Sequence, residues 1–309
     1  MAERDLIERL DAMIDAVIAG KRAPALEPEL AMFAVIASDL HSLPDPAFRS
    51  RLRRELLGEK EETMETTVAT VIGLRPYLIV RGADDLIEFL KQTFDGHVVG
   101  RFPTPDGKVM HAEVRVGDSS LEMGDAGDQW QPIAAPLHVY VPDVDETYRR
   151  AIAAGATSLY APMNQPYGDR EAGVVDARGI EWFLATRLEG DYRPAGFGTV
   201  TTGFRATGAQ QLLEFLQNAF GAVHVAGDMQ HAEIRLGDTM IELGEAHGQW
   251  GPTRGAFHLF VTDADAVYAE AIRAGATSMW EPEDKPYGER SGGVKDAWGN
   301  QWYIATPLK

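Results

Sequence analysis

One twenty-residue stretch of this chain is written twice. Residues 111–130 read HAEVRVGDSSLEMGDAGDQW and residues 231–250 read HAEIRLGDTMIELGEAHGQW. The same spacing persists downstream, where His138 recurs as His258, Tyr167 as Tyr287, Arg170 as Arg290 and Trp182 as Trp302. Upstream, Phe94 recurs as Phe220, so the second copy has lost six residues in the loop written FPTPDGKVM in the first. A long internal repeat limits the fold to architectures in which one supersecondary unit is used again. Chemistry is therefore sought at positions that recur.

Within the first copy the apolar pattern predicts a strand at 74–80, a helix at 83–94, and strands near 97–102, 109–116 and 119–124. The order then restarts. HVYV reads as a strand and DVDETYRRAIAAG as a helix, with Asp143 as its N-cap and Gly155 as its stop. Strands near 157–160, 171–176 and 180–186 follow. The second copy repeats the order from a strand near 200–206 through AQQLLEFLQNAF, HAEIRLGD, MIELGE, FHLFV, ADAVYAEAIRAG and QWYIAT. Each copy is thus two βαβββ modules. A module of this kind cannot bury its sheet alone, so paired sheets must curl together, and the concave face between them becomes a pocket.

Ahead of the repeats, Leu6, Ile7, Leu10, Met13, Ile14, Val17 and Ile18 recur at helical spacing and stop at Gly20. Two further short helices are expected before residue 58, the last capped by Asp45 with Pro46 at its first position. The fold class read from the chain is α+β. A small three-helix N-terminal segment (1–60) precedes two tandem domains at 70–188 and 198–309, each of paired βαβββ modules forming a cup-shaped sheet. The helices either pack on the main body or dock a protein partner.

The charge balance excludes whole classes of partner. Net charge is −18, which disfavours phosphate backbones and anionic membranes, so neither nucleic acid nor membrane is an expected partner. There is no cysteine, hence no disulfide, thiolate nucleophile or Cys-based zinc site. The first residues carry charges throughout and read as neither a secretory signal nor a membrane span, so a cytoplasmic location is the default expectation.

The combination HAE-x-R-x-GD, LHVYV/FHLFV, D-x-D-x-x-Y, AGAT, PYGDR/PYGER and D-x-x-G-x-x-W resembles the vicinal oxygen chelate superfamily of glyoxalases, bleomycin-resistance proteins and extradiol dioxygenases, in particular its PhnB-like branch. The resemblance implies ligands on the first and last strand of each module, meeting at the cup floor. The matching positions are His138 and His258 on one strand and Glu122 and Glu242 on another; these four would be the metal ligands. At the remaining positions this chain carries Arg75 or Thr201, and Phe183 or Tyr303 where a metal enzyme usually has Glu. No cofactor is firmly implied. A divalent metal (zinc, nickel, iron or manganese) would need a third donor from His111 or Glu113.

His111-x-Glu113 and His231-x-Glu233 project from one strand face, either as a structural polar ladder or as a proton-moving pair in the cup. Glu122, His138, Glu242, His258, His111, Glu113, His231 and Glu233 are accordingly the candidate catalytic residues. Arg75, Trp130, Tyr140, Arg170, Phe183, Trp250, Phe260, Arg290 and Tyr303 are the candidate substrate contacts. Arg170 and Arg290 would either fork onto a ligand or pin their loop to Asp176 and Asp296. Trp182 and Trp302 alternate away from the cup and read as structural. Three functions follow as expectations: a cup binding a small organic molecule without a complete metal site, a metal-assisted or His/Glu acid–base enzyme (lyase, isomerase or dioxygenase type), and a ligand-sensing regulator docking a partner through its N-terminal helices. A fused duplicate supplies both halves of a homodimer, so a monomer with an internal pseudo-two-fold is expected. Whether a cup closes within a copy or across copies stays open.

Overall fold

The computed structural model describes residues 69–308. The helical segment expected over 1–60, and with it the docking role, lies outside the described residues. The first copy comprises β1 (Val71–Val80), α1 (Ala83–Phe94), β2 (His97–Pro103), β3 (Val109–Val116), β4 (Ser119–Asp125), β5 (Leu137–Tyr140), α2 (Val144–Ala153), β6 (Thr157–Asn164), β7 (Asp169–Val175) and β8 (Glu181–Arg187). The second comprises β9 (Val200–Ala206), α3 (Ala209–Phe220), β10 (Val223–Asp228), β11 (His231–Leu236), β12 (Thr239–Glu245), β13 (Ala256–Val261), α4 (Ala264–Arg273), β14 (Thr277–Lys285), β15 (Glu289–Lys295) and β16 (Gln301–Pro307). Four βαβββ modules are present in the expected order. β6 runs past its expected end near residue 160. It is an edge strand, mostly exposed and interrupted by register shifts at Tyr160, so no apolar alternation marks it and Pro162 is tolerated.

The strands form two eight-stranded sheets, ordered β14-β15-β16-β13-β1-β4-β3-β2 and β10-β11-β12-β9-β5-β8-β7-β6. This answers the open question of closure. The first module of one copy joins the second module of the other, through an antiparallel β1–β13 seam in one sheet and a β5–β9 seam in the other. Arg75 lies opposite His258 across the first seam, and Thr201 opposite His138 across the second.

The copies are held together differently on their helical side. α1 and α2 cover one apolar core, in which Ala112, Val114, Leu121, Leu137 and Trp182 are inaccessible to solvent. α3 and α4 cover the other, built around Phe204, Phe257 and Trp302. Phe257 belongs to one sheet and Phe204 to the other, and their rings are 4.8 Å apart. Each copy therefore owns a hydrophobic core, and each sheet is shared between copies. Burial of a tryptophan or phenylalanine in such a core stabilises the fold by about 3 kcal/mol or more.

Helix ends explain the local order. Asp143 caps α2 by accepting from Glu146 N–H at 2.9 Å, and Asp263 caps α4 through Ala266 N–H at 3.0 Å. Gly155 ends α2 with φ +94°, a conformation that excludes most side chains. α1 and α3 begin without a side-chain cap of their own. Instead Asp125 accepts from the N–H groups of Gly82 and Ala83, and Glu245 from those of Gly208 and Ala209. These carboxylates end β4 and β12 and tie each helix to its sheet.

Candidate functional site

Strand alternation divides every cup strand into a helix face and a cup face. On β3, Ala112, Val114 and Val116 are buried under the helices, while His111 and Glu113 are half-buried on the opposite face. The same division puts Glu122 opposite Glu113 across β3–β4, and Glu242 opposite Glu233 across β11–β12. Cross-copy pairing then brings His258 to Glu122 and His138 to Glu242.

In the first cup His258 Nδ1 lies 2.8 Å from Glu122 Oε2, and His258 Nε2 lies 3.4 Å from Glu289 Oε2. Arg75 Nη1 donates to Glu122 Oε1 at 3.0 Å and approaches Glu113 Oε2 at 3.4 Å. The guanidinium sits over the Phe260 ring at 4.8 Å, and Ser120 donates to Glu113 at 2.6 Å. Burial by itself disfavours the charged imidazole of His258, yet Glu122 and Glu289 outweigh it and raise the pKa to about 9. Burial likewise disfavours the Glu122 carboxylate, but His258, His111 and Arg75 hold its pKa below the ordinary value. Both shifts favour an imidazolium facing a carboxylate.

The remainder of this cup is aromatic. Tyr303 packs with Tyr77, Trp130 and Trp280 at ring separations of 5.4, 5.9 and 5.5 Å. The Tyr77 hydroxyl meets His111 Nδ1 at 3.2 Å.

The second cup keeps the central pair and changes its surroundings. His138 Nδ1 lies 2.9 Å from Glu242 Oε1, and the ring stacks on Tyr140 at 4.5 Å. Burial lowers and Glu242 raises the His138 pKa, with a net rise to about 8; Glu242 is correspondingly held low despite its burial. Thr201 stands where the first cup has Arg75; it is 1% exposed and its hydroxyl has no hydrogen-bond partner. Glu171 is buried, with Oε1 3.9 Å from His138 Nε2, and accepts from the Tyr167 hydroxyl at 2.7 Å. Burial raises the Glu171 and Asp169 pKa values above the usual carboxylate range. Phe183 and Trp250 pack edge to face at 5.8 Å, with the Arg205 guanidinium 5.9 and 5.4 Å from their rings. Glu181 holds Arg205 at 2.5 Å.

Two expected contacts belong elsewhere. Arg170 forks onto Asp145 at 2.6 and 2.8 Å, and Arg290 forks onto Asp265 and also binds Asp284 at 3.0 Å. Both arginines therefore lie on the helix face and pin β7 and β15 to the first turn of α2 and α4. They reach neither a cup nor Asp176 and Asp296, which instead close their own turns through Ile180 and Asn300. Sequence reading missed Tyr77, Glu171, Glu289, Trp280 and Arg205. The signal for Glu289 was available: it precedes Arg290, so alternation sends it to the opposite face. Trp182 and Trp302 lie in the helix-side cores, as expected. Among the described residues no group of three or more His, Asp or Glu side chains is arranged to hold a metal ion, and no helix is long and apolar enough to cross a membrane.

Comparison with known proteins accords with this geometry. An uncharacterized protein of Mycobacterium tuberculosis is 33% identical over 141 residues, covering 41% of this chain and 83% of that protein. One from Mycobacterium bovis is 35% identical over 123 residues, covering 36% of this chain and 81% of its own length. Among solved structures, glyoxalase I from Zea mays superposes with a TM-score of 0.59 at 14% identity, covering 77% of this chain and 92% of that one. At that identity the likeness is one of fold. The family model described as Glyoxalase/Bleomycin resistance protein/Dioxygenase superfamily matches residues 69–184, which hold the first of the two copies. With its doubled βαβββ modules and two curled sheets, the chain belongs to the glyoxalase/bleomycin resistance protein/dioxygenase superfamily.

Proposed function

We propose that this chain is a binding protein that holds a small organic molecule against an aromatic cup wall, without a metal ion at the floor. The observation that carries this reading is the direct bond between the two residues that would have to chelate. His258 and Glu122 face each other at 2.8 Å, and His138 and Glu242 at 2.9 Å. A protonated imidazole has no lone pair to give a metal, and displacing its proton opposes the stabilisation that raised its pKa. In the first cup the Arg75 guanidinium already neutralises Glu122. The other two floor positions are Thr201 and Phe183 in one cup and Arg75 and Tyr303 in the other, so a divalent ion does not fit either donor set. A proton and a guanidinium take its electrostatic role.

Each cup is completed by the two copies of one chain, which supports a monomer with an internal pseudo-two-fold and needs no second molecule. The aromatic lining suits a flat or amphipathic organic ligand. The test combines elemental analysis after dialysis against zinc, nickel, iron and manganese with a ligand-observed NMR screen of an aromatic fragment library. Saturable fragment binding by metal-free protein is expected. A stoichiometric divalent ion per cup, or no fragment bound, overturns the reading.

A second reading, acid–base catalysis, draws on one observation in the second cup. Glu171 has a raised pKa and lies between the Tyr167 hydroxyl and His138. On that reading Glu171→Gln abolishes turnover of a bound compound while leaving its affinity intact.

A further inference from the structure

The two cups are not equivalent, and the difference lies on the strand that opens each first module. Tyr77 pairs with Glu122 in the β1–β4 ladder, and Gly203 pairs with Glu242 at the matching place in β9–β12. In the first cup the Tyr77 phenol fills the hollow: its ring meets Tyr303 edge to face at 5.4 Å and its hydroxyl reaches His111 Nδ1 at 3.2 Å. Tyr303 is consequently buried.

In the second cup Gly203 supplies no side chain there, and the group beside the Phe183 ring is the Arg205 guanidinium, 5.9 Å from its centre. A Cβ built on Gly203 meets only the Pro136 carbonyl oxygen within 4 Å, at 3.9 Å. Phe183, the counterpart of Tyr303, is half-buried instead of buried, as is Gly203 itself on a central strand. The surrounding parts are nevertheless kept. Phe183 and Trp250 repeat the packing of Tyr303 and Trp130, at 5.8 against 5.9 Å, and His231 repeats His111 on the cup face. The first cup thus carries, as one of its own side chains, the group that the second cup lacks.

We infer that the second cup takes a phenol-type aromatic ligand in the place that Tyr77 fills in the first, with the ring edge-on to Phe183 and the hydroxyl toward His231. The chain then holds one ligand, not two. The inference rests on the binding reading above and adds to it the ligand class, the stoichiometry and the cup.

The probe is p-cresol, the tyrosine side chain as a free molecule, titrated into the intact chain by isothermal calorimetry. One p-cresol per chain is expected. Gly203→Tyr should lower affinity by about tenfold or more by supplying the missing phenol covalently, a change of about 1.4 kcal/mol. Gly203→Ala, whose methyl group fits the empty cup but takes the place of the p-cresol methyl, should weaken binding less than Gly203→Tyr does. Tyr77→Gly should open the first cup and raise the stoichiometry to two; if that variant does not fold, the Gly203 pair alone decides. Two sites in the wild type, unchanged binding by Gly203→Tyr, or no p-cresol bound at all each overturn the inference. If library fragments still bind in that last case, only this inference falls. If none binds, the binding reading falls with it.

Discussion

Glu122→Gln keeps the shape of the side chain and removes one of the two carboxylates that favour protonated His258, leaving Glu289 in place. Glu122 is 2% exposed, so no water replaces the lost partner. A pKa raised from 6.5 to about 9 corresponds to about 3 kcal/mol of preferential interaction with the protonated ring. The sign follows from the direction: a folded-state pKa above the unfolded one contributes stability fully present below about pH 6.5 and lost as pH rises through about 9. The Glu122 carboxylate, held low, adds stability above its unfolded pKa, so both contributions coexist at pH 6. Urea unfolding followed by tryptophan fluorescence should show the variant less stable than wild type at pH 6 by an amount approaching about 3 kcal/mol, with Glu289 retaining part of the interaction. At pH 10 the wild-type imidazole is neutral and most of that difference disappears. The charge opposite Arg75 is lost at both pH values, so that effect cancels in the comparison. A penalty under about 1 kcal/mol at pH 6, or equal penalties at both pH values, would exclude this role for Glu122.

The two core tryptophans should respond unequally. Trp302 Nε1 donates to Asp296 at 3.1 Å, whereas Trp182 Nε1 is buried without a partner, so Trp302→Phe should cost about 1 kcal/mol more than Trp182→Phe in the same unfolding assay. Arg290→Ala removes a solvent-screened fork onto Asp265 and Asp284 and should change stability little while leaving p-cresol affinity unchanged. A large loss of affinity in that variant would place Arg290 back in the cup.

Much of the fold was legible because the repeat is long and each module carries its own punctuation. The Gly-Ala endings after α2 and α4 mark helix stops, and alternation along β8 and β16 correctly turns Trp182 and Trp302 away from the cup. Closure across copies was not legible. The two copies are alike, so pairing within or between them satisfies the same apolar pattern, and only the observed β1–β13 and β5–β9 seams distinguish the options. Arg170 and Arg290 were misplaced for a different reason. A guanidinium near a repeated loop looks like a ligand contact until alternation from Asp169 and Glu289 is followed to the next residue. Tyr77 does not stand out in the sequence because it occurs in only one of the two copies. Its counterpart is a glycine, and the asymmetry between the cups lies there.

On the proposed binding reading, an imidazolium–carboxylate pair assembled from both copies stands at each cup floor in place of a metal. Nitrogen-15 NMR of histidine-labelled protein at pH 7 reads it directly. His138 and His258 should both show two protonated ring nitrogens, unchanged by equimolar zinc. A neutral ring in either residue, with one nitrogen shifted by the added ion, would contradict it.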